Sequence, residues 1–304
     1  MNILVTGITG YVGSRLTPRL LREGHRVRGF TRHPGHVAFG IPVATGDAVT
    51  GEGLDRALRD IEVAYFLIHS MEPSSNGAFN VRDRAAAENF GRAAAAAGVR
   101  RIVYLGGLVP ARGPASLHLA SRLEVENTLL DAVPDSVALR ASIVIGARSR
   151  AFRFLVHLVE RLRVLAVPAW RTHVTAPIDE RDVIEFLARA ATSDRVGGES
   201  LDIGGPDVVS YGELIDRIRH HMLVSRPTIS FKRLTITPIA SHISAVITGE
   251  EHALVGPLME SLGENLLPRG DRAVKLLDVR LHSLDAAIEH ALREWESAEH
   301  LSAR

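Results

Sequence analysis

Short apolar runs alternate along this chain with longer stretches in which apolar residues return every three or four positions. The first run, Asn2-Ile3-Leu4-Val5, is too short for a helix and leads into Thr6-Gly7-Ile8-Thr9-Gly10-Tyr11-Val12-Gly13. Beyond Gly13, Leu16, Leu20 and Leu21 fall on one helical face and Gly24 supplies a stop, with Pro18 expected to kink the helix. Strands follow at 25–30, at 42–47 and at Val63-Ala64-Tyr65-Phe66-Leu67-Ile68, the last apolar on both faces, as in a parallel sheet covered on both sides. A helix at 53–59 precedes that strand. An alanine-rich helix at 79–97 comes next, then a strand at 101–105 ending in Gly106-Gly107 and a helix at 117–132. A strand at 137–140 continues through Ala141-Ser142 to Gly146.

Regular alternation of strand and helix predicts an α/β fold, a Rossmann-type doubly wound parallel sheet. The second half is less regular. Helices are expected at 152–162, from Asp179 through Ala191, at 211–222, 238–247, 251–262 and 284–297, with strands at 201–206 and 231–237. Residues 1–150, completed by about 174–206, therefore read as a dinucleotide-binding domain. Residues 151–173 and 207–304 read as a smaller, mostly helical substrate-binding lobe.

The glycine stretch carries the first chemical expectation. A strand, a glycine turn and a helix N-terminus together aim backbone N–H groups at a phosphate. Gly7 makes the tight turn, Gly10 lets a pyrophosphate approach, and Gly13 lets helix and strand pack closely. The spacing is Gly-x-x-Gly-x-x-Gly, not the commoner Gly-x-Gly-x-x-Gly. Thr6, Gly7, Thr9, Gly10, Tyr11, Val12 and Gly13 are the expected cofactor contacts of this turn.

At the end of the second strand, where NAD-binding proteins hold the ribose 2′-hydroxyl with a carboxylate, no Asp or Glu occurs between Glu23 and Asp47. Thr31 and Arg32 stand there instead. A guanidinium can grip a 2′-phosphate through two parallel hydrogen bonds, so NADP(H) is favoured over NAD(H), the alternative being a solvated loop arginine. Asp47 and Ala48 follow the third strand, near an expected adenine. An N-cap or turn role for Asp47 is the competing reading. Ile68, His69 and Ser70 end the fourth strand, Gly106 and Gly107 the fifth, and Ala141 and Ser142 the sixth. Loops at those carboxyl ends line the ligand crevice of a doubly wound sheet, although His69 reads equally as structural.

Composition narrows the classes. The 304 residues are 46% hydrophobic and carry a net charge of +1, so no charge imbalance points to nucleic acid or a membrane surface. Cysteine is absent, which excludes disulfides and thiolate chemistry. No apolar run is long enough for a membrane span, and the start of the chain reads as a core strand rather than a signal segment, so a cytoplasmic location is expected. No hydrolase elbow, Walker loop or metal-binding histidine spacing is present, and Trp170 and Tyr211 read as core or pocket lining. The expected ligands are a small-molecule substrate and the dinucleotide, with no metal. Oligomeric state cannot be read.

Taken together, Thr6-Gly7-x-x-Gly10-x-x-Gly13, Gly46-Asp47, Leu139-Arg140 and Asp202-Ile203-Gly204-Gly205-Pro206 resemble the extended or atypical branch of the short-chain dehydrogenase/reductase superfamily. Residues 65–71 (YFLIHSM), 104–108 (YLGGL) and 118–125 (HLASRLEV) are similar to its NmrA-like NAD(P)H-binding proteins. The resemblance implies a Tyr-x-x-x-Lys pair on the helix after strand five and a serine at the end of that strand. This chain has His118-x-x-x-Arg122 and Gly106-Gly107 there, and its two lysines, Lys232 and Lys275, lie elsewhere. His118 and Arg122 share a helical face by spacing. Histidine moves protons near neutral pH, and arginine can bind a carbonyl oxygen or a developing enolate. They are the catalytic candidates, the alternative being a pair that positions cofactor.

The expected function is an NADPH-dependent oxidoreductase acting on a small conjugated alkene, quinone or carbonyl compound. The alternative is a non-catalytic NADP(H)-binding sensor, regulator or assembly factor. A nucleotide-sugar epimerase or dehydratase ranks last, since those relatives keep the Tyr and Lys.

Overall fold

The computed structural model describes residues 1–38, 40–68, 79–110, 113, 117–161, 165–167, 169–224, 228–230 and 263–298; at 79, 117, 118, 161, 165–167, 169, 170 and 228–230 the description is of main chain only. The first strand, β1 (Asn2–Thr6), pairs in parallel with β2 (Arg26–Thr31) on one side and β4 (Val63–Phe66) on the other. Outward from β2 lies β3 (Val43–Thr45); outward from β4 lie β5 (Arg101–Gly107), β6 (Val137–Ala141) and β11 (Glu199–Ile203). The order β3-β2-β1-β4-β5-β6-β11 is fully parallel and reverses direction between β1 and β4. This is the expected Rossmann-type sheet, and the reversal is where such a sheet opens a crevice at its carboxyl edge.

Helices cover both faces, as two separate apolar clusters record. On one face Leu16 and Leu20 of α1 (Tyr11–Arg22), Phe186 and Leu187 of α6 (Glu180–Thr192), and Leu277 of α8 (Arg272–Leu277) bury against Ile3, Val5, Tyr65 and Val103. On the other, α2 (Leu54–Leu58), α3 (Phe79–Ala96) and α4 (Leu117–Ala132) bury Leu58, Phe90 and Leu129 against Leu4, Phe66 and Tyr104. Every residue of β4 is buried because both faces are covered. Helix α1 runs on through Pro18, and Gly24, at φ +79°, closes it. Asp179 caps α6, its carboxylate accepting the Arg181 N–H at 2.7 Å.

A third cluster joins α5 (Arg150–Arg161), α7 (Tyr211–His221) and α9 (Leu284–Ala298) through Phe152, Leu155, Leu214, Ile288 and Trp295. Ser210 caps α7, its hydroxyl accepting the Glu213 N–H at 3.1 Å.

Three sequence expectations need correction. The strand expected at 201–206 ends instead at Ile203. The third strand is Val43–Thr45, shorter than 42–47, because Gly46 and Asp47 already turn. The sixth strand stops at Ala141. Val144–Ile145 (β7) forms its own parallel pair with β10 (Ile178–Asp179), outside the main sheet. Two small pairings also lie outside it: β9 (Val174–Thr175) with β12 (Val209–Ser210), and β8 (Leu165–Val167) with β13 (Thr228–Ser230). The expected strand at 231–237 and helices at 238–247 and 251–262 lie outside the described residues. Among the described residues, no helix is long and apolar enough to cross a membrane.

Candidate active site

The glycine turn is a cradle built from close backbone contact. Gly7 ends β1 at φ +62°, and a Cβ on it would lie 2.7 Å from the Leu67 carbonyl oxygen. A Cβ on Gly13 would lie 2.4 Å from the Gly7 oxygen, so α1 can leave β1 only at glycine spacing. The Gly10 N–H donates to the Gly7 carbonyl at 2.9 Å, and Gly10 caps α1 with no side chain over the helix end. Thr9 and Gly10 are exposed, and no acidic residue occupies the first turn of α1. A helix N-terminus left open in this way suits an anion, and the cradle fits the pyrophosphate of a nicotinamide dinucleotide.

Thr6 and Tyr11 serve the turn from behind. Thr6 is fully buried; its hydroxyl donates to the Tyr65 carbonyl at 2.9 Å and accepts the Leu67 N–H at 3.1 Å, tying β1 to β4. Tyr11 donates a short hydrogen bond to the buried Glu180 carboxylate. Burial, reinforced by that carboxylate, pushes the phenol well above its ordinary value and keeps it neutral. Gly146 passes against both groups, where a Cβ would meet Tyr11 Oη at 2.0 Å. Glu180, His290 and Glu294 bring donor atoms within 4.8 Å of one another, and Arg15 pairs with both glutamates, offsetting one of their two charges.

At the far end of β2, Thr31 accepts the His33 N–H at 3.1 Å and Arg32 is exposed. Asp47 closes its own turn, its carboxylate accepting the Val49 N–H at 2.8 Å while its N–H donates to Glu52 O at 3.0 Å. Ala48 is buried, and Asn89 on α3 holds the turn by donating to the Ala48 and Val49 carbonyls at 3.2 and 2.8 Å. The turn role thus describes the Asp47 carboxylate.

The carboxyl ends of β5 and β6 enclose a cavity of about 320 Å³. Val12 of the glycine turn lines it together with Ile68, Gly106, Gly107, Ala141 and Ser142, six expected contacts brought together. Thr31, Arg32, Asp47 and Ala48 do not line it. His69 and Ser70 lie outside the described residues. Arg122 also lines the cavity, its Nη2 donating to the Leu105 carbonyl at 2.5 Å and its guanidinium 5.2 Å from the Tyr104 ring centroid. Burial pushes the Tyr104 phenol up to about 12, so its hydroxyl stays protonated and donates to the Arg122 carbonyl at 3.3 Å. His118 sits one turn earlier on α4, its side chain beyond the described atoms.

The helix that presents Arg122 is anchored below. Glu126, 1% exposed, takes two-pronged hydrogen bonds from Arg140 on β6 at 2.5–3.0 Å and a third from Ser200 at 2.6 Å. Sequence reasoning missed this network and most of the cavity's opposite lining, Ile143, Val144, Ala151 and Leu266, because nothing local in their sequence marks them. Tyr211 does line the cavity, in keeping with its expected place in a pocket.

Comparison with known proteins places this geometry. A family described as NAD(P)H-binding matches residues 7–132. The chain is 30% identical over 232 residues to a ceramide reductase of Caulobacter vibrioides, covering 75% of this chain and 72% of that protein. The chain belongs to this NAD(P)H-binding family. Among solved structures, a short-chain dehydrogenase/reductase superfamily protein of Agrobacterium tumefaciens with bound NAD superimposes with TM-score 0.70 at 18% identity, over 98% of this chain and 97% of its own. The UDP-glucose 4-epimerase of Thermotoga maritima gives TM-score 0.76 at 13% identity, over 98% and 99%. Such low identities establish the fold alone. This NAD(P)H-binding protein therefore has an oxidoreductase-type fold, with His118 and Arg122 on the helix that follows β5.

Proposed function

We propose that this protein is an NADPH-dependent reductase that delivers hydride to a small conjugated alkene, quinone or carbonyl compound. One observation carries the reading: a fixed guanidinium, that of Arg122, lines an otherwise largely apolar cavity that also touches the glycine turn through Val12. The name of the Caulobacter relative supports reduction as the reaction type.

Bound in the glycine turn, the dinucleotide would supply the hydride. Arg122 would hold the substrate oxygen on which negative charge collects as hydride adds to carbon, whether an alkoxide or an enolate. His118, four positions earlier on the same helical face, or a water would return the proton. Low surrounding polarity strengthens the arginine's attraction for that oxygen. Arg32 would pair with a 2′-phosphate, giving NADP(H) preference over NAD(H). The cavity would belong jointly to the dinucleotide-binding domain (1–150 with about 174–206) and a substrate-binding lobe (151–173 and 207–304).

The test is oxidation of NADPH, followed by absorbance, over a panel of enones, quinones and aldehydes. Turnover falling about 100-fold in Arg122→Ala, partly restored in Arg122→Lys, and falling again in His118→Ala is the expected result. Tight NADPH binding with no turnover would favour a second reading, a non-catalytic sensor, regulator or assembly factor. The replaced Tyr and Lys positions are the observation behind that alternative. Absence of dinucleotide binding would sink both.

A further inference from the structure

Among the described residues lining the cavity, three side chains are polar: Arg122, Ser142 and Tyr211. Two of these belong to one chain of hydroxyls. Ser142 Oγ lies 3.0 Å from Thr175 Oγ1, and the Thr175 hydroxyl in turn stands next to the Tyr211 phenol, lowering its pKa against the larger effect of burial. The three come from separate elements at the carboxyl edge: Ser142 just past β6, Thr175 on β9, and Tyr211 at the start of α7. Pairing of β9 with β12 places Thr175 opposite Val209, two residues before Tyr211, and the Tyr211 N–H donates to His173 O at 3.0 Å. All three are buried, Thr175 completely. Burial pushes the Tyr211 phenol up to about 12, so it remains a neutral donor across the physiological range.

A chain of buried hydroxyls has a property that one hydroxyl lacks. Each carries one hydrogen and can also accept, so the three hydrogens can turn together, letting the end group act as donor or acceptor.

We propose that Tyr211 is a substrate-binding residue that hydrogen-bonds a second oxygen of the substrate, Thr175 and Ser142 setting the direction of its hydroxyl. This deepens the reductase reading and rests on it for the term substrate. With Arg122 taking one oxygen and Tyr211 the other, the cavity selects a small apolar compound bearing two oxygens, such as a quinone, over one bearing a single carbonyl. Tyr211 reads the second oxygen, and the apolar lining takes the carbon frame. In such a pocket, discrimination comes from the polar group left unpaired when the wrong ligand binds.

The experiment measures equilibrium binding of 1,4-naphthoquinone and of naphthalene, its oxygen-free counterpart, to the full chain with NADP⁺ present so that no turnover occurs. The wild type should prefer the quinone, and Tyr211→Phe, which keeps the ring, should shrink that preference about three- to tenfold, the range of one hydrogen bond. Thr175→Val retains Tyr211 and removes its partner, and should shrink the preference by a smaller factor. A thermal melt on each variant checks the fold. Should Tyr211→Phe fail to fold, Thr175→Val alone decides. An undiminished preference in the folded variants, or no preference in the wild type, overturns the proposal. Preference that depends on Tyr211, without NADPH oxidation on any enone, quinone or aldehyde of the panel, would sink the reductase reading and leave the hydroxyl site standing.

Discussion

Three glycines separate the cost of backbone conformation from the cost of crowding, and with it test the cradle. Gly24 lies at φ +79° with nothing within 4 Å of a Cβ placed there. Gly13 has helical backbone, but its Cβ would meet three main-chain atoms, Gly7 O at 2.4 Å, Ile8 Cα at 2.8 Å and Gly7 C at 2.9 Å. Gly7 has both problems, φ +62° and 2.7 Å to Leu67 O. Alanine at Gly24 should therefore cost about 1 kcal/mol, the left-handed conformation alone. At Gly13, helix propensity by itself predicts a gain of about 1 kcal/mol. Main-chain atoms cannot rotate aside as a side chain would, so overpacking of about 1–3 kcal/mol should reverse that gain. At Gly7 the two costs combine to about 2–4 kcal/mol. Urea unfolding of the three variants gives the stabilities, and NADPH titration reads the cradle. Gly24→Ala should bind NADPH normally, whereas the other two should lose about 10- to 100-fold in affinity, equal to about 1.4–2.8 kcal/mol. A Gly13→Ala protein more stable than wild type, with unchanged NADPH affinity, would refute the argument that close backbone contact shapes this site.

Further predictions concern the scaffold and cofactor choice. Arg101, 1% exposed, pairs with Asp135 and donates to the Ala190, Ser193 and Val196 carbonyls at 2.7 Å each, locking the end of α6 to β5. Arg101→Met strands those acceptors and should cost about 3–5 kcal/mol in urea unfolding; a loss under about 1 kcal/mol would show that the clamp contributes little. Burial pushes the Glu185 carboxyl up, but hydrogen bonds from Arg189 and Arg19 outweigh it and hold the group below its ordinary value of 4.5. Its folded-state affinity for protons is thus lower than in the unfolded chain, so it stabilises above that value, and the contribution is lost as pH falls through the depressed folded value. Glu185→Gln should cost up to about 1 kcal/mol at pH 7, since the pair is partly exposed, with the difference from wild type vanishing in acid; a difference that persists there would contradict this. Finally, Arg32→Ala should weaken NADPH binding about tenfold with little change for NADH, and equal losses for both would remove Arg32 from the 2′-phosphate.

Legibility in the sequence followed the range of the interactions concerned. The boundaries of α4 at 117 and 132 matched the expectation because helical periodicity and the surrounding turns are local signals. The sixth strand was overextended to Gly146 because Ile143, Val144 and Ile145 are as apolar and β-branched as any strand residue; only the partner strand β10 shows that they pair elsewhere. Asp47 is ambiguous in sequence because one aspartate can cap a turn or face a ligand; that its carboxylate accepts the Val49 N–H is visible only in the structure. Arg101 gave no signal at all, since a buried arginine is explained only by the acceptors that α6 and the following loop bring to it.

By itself the sequence determined the glycine cradle and the parallel alternation of strands and helices. Each of these is written within a few consecutive residues, where steric and periodic rules act directly. Tertiary structure alone decided that Arg122 faces an apolar cavity, that Glu126 and Arg140 hold its helix, and that Ser142, Thr175 and Tyr211 join into one chain of hydroxyls. Those groups lie far apart along the chain, and hydrogen bonds that close in space only after the sheet and its helices pack leave no local pattern to read.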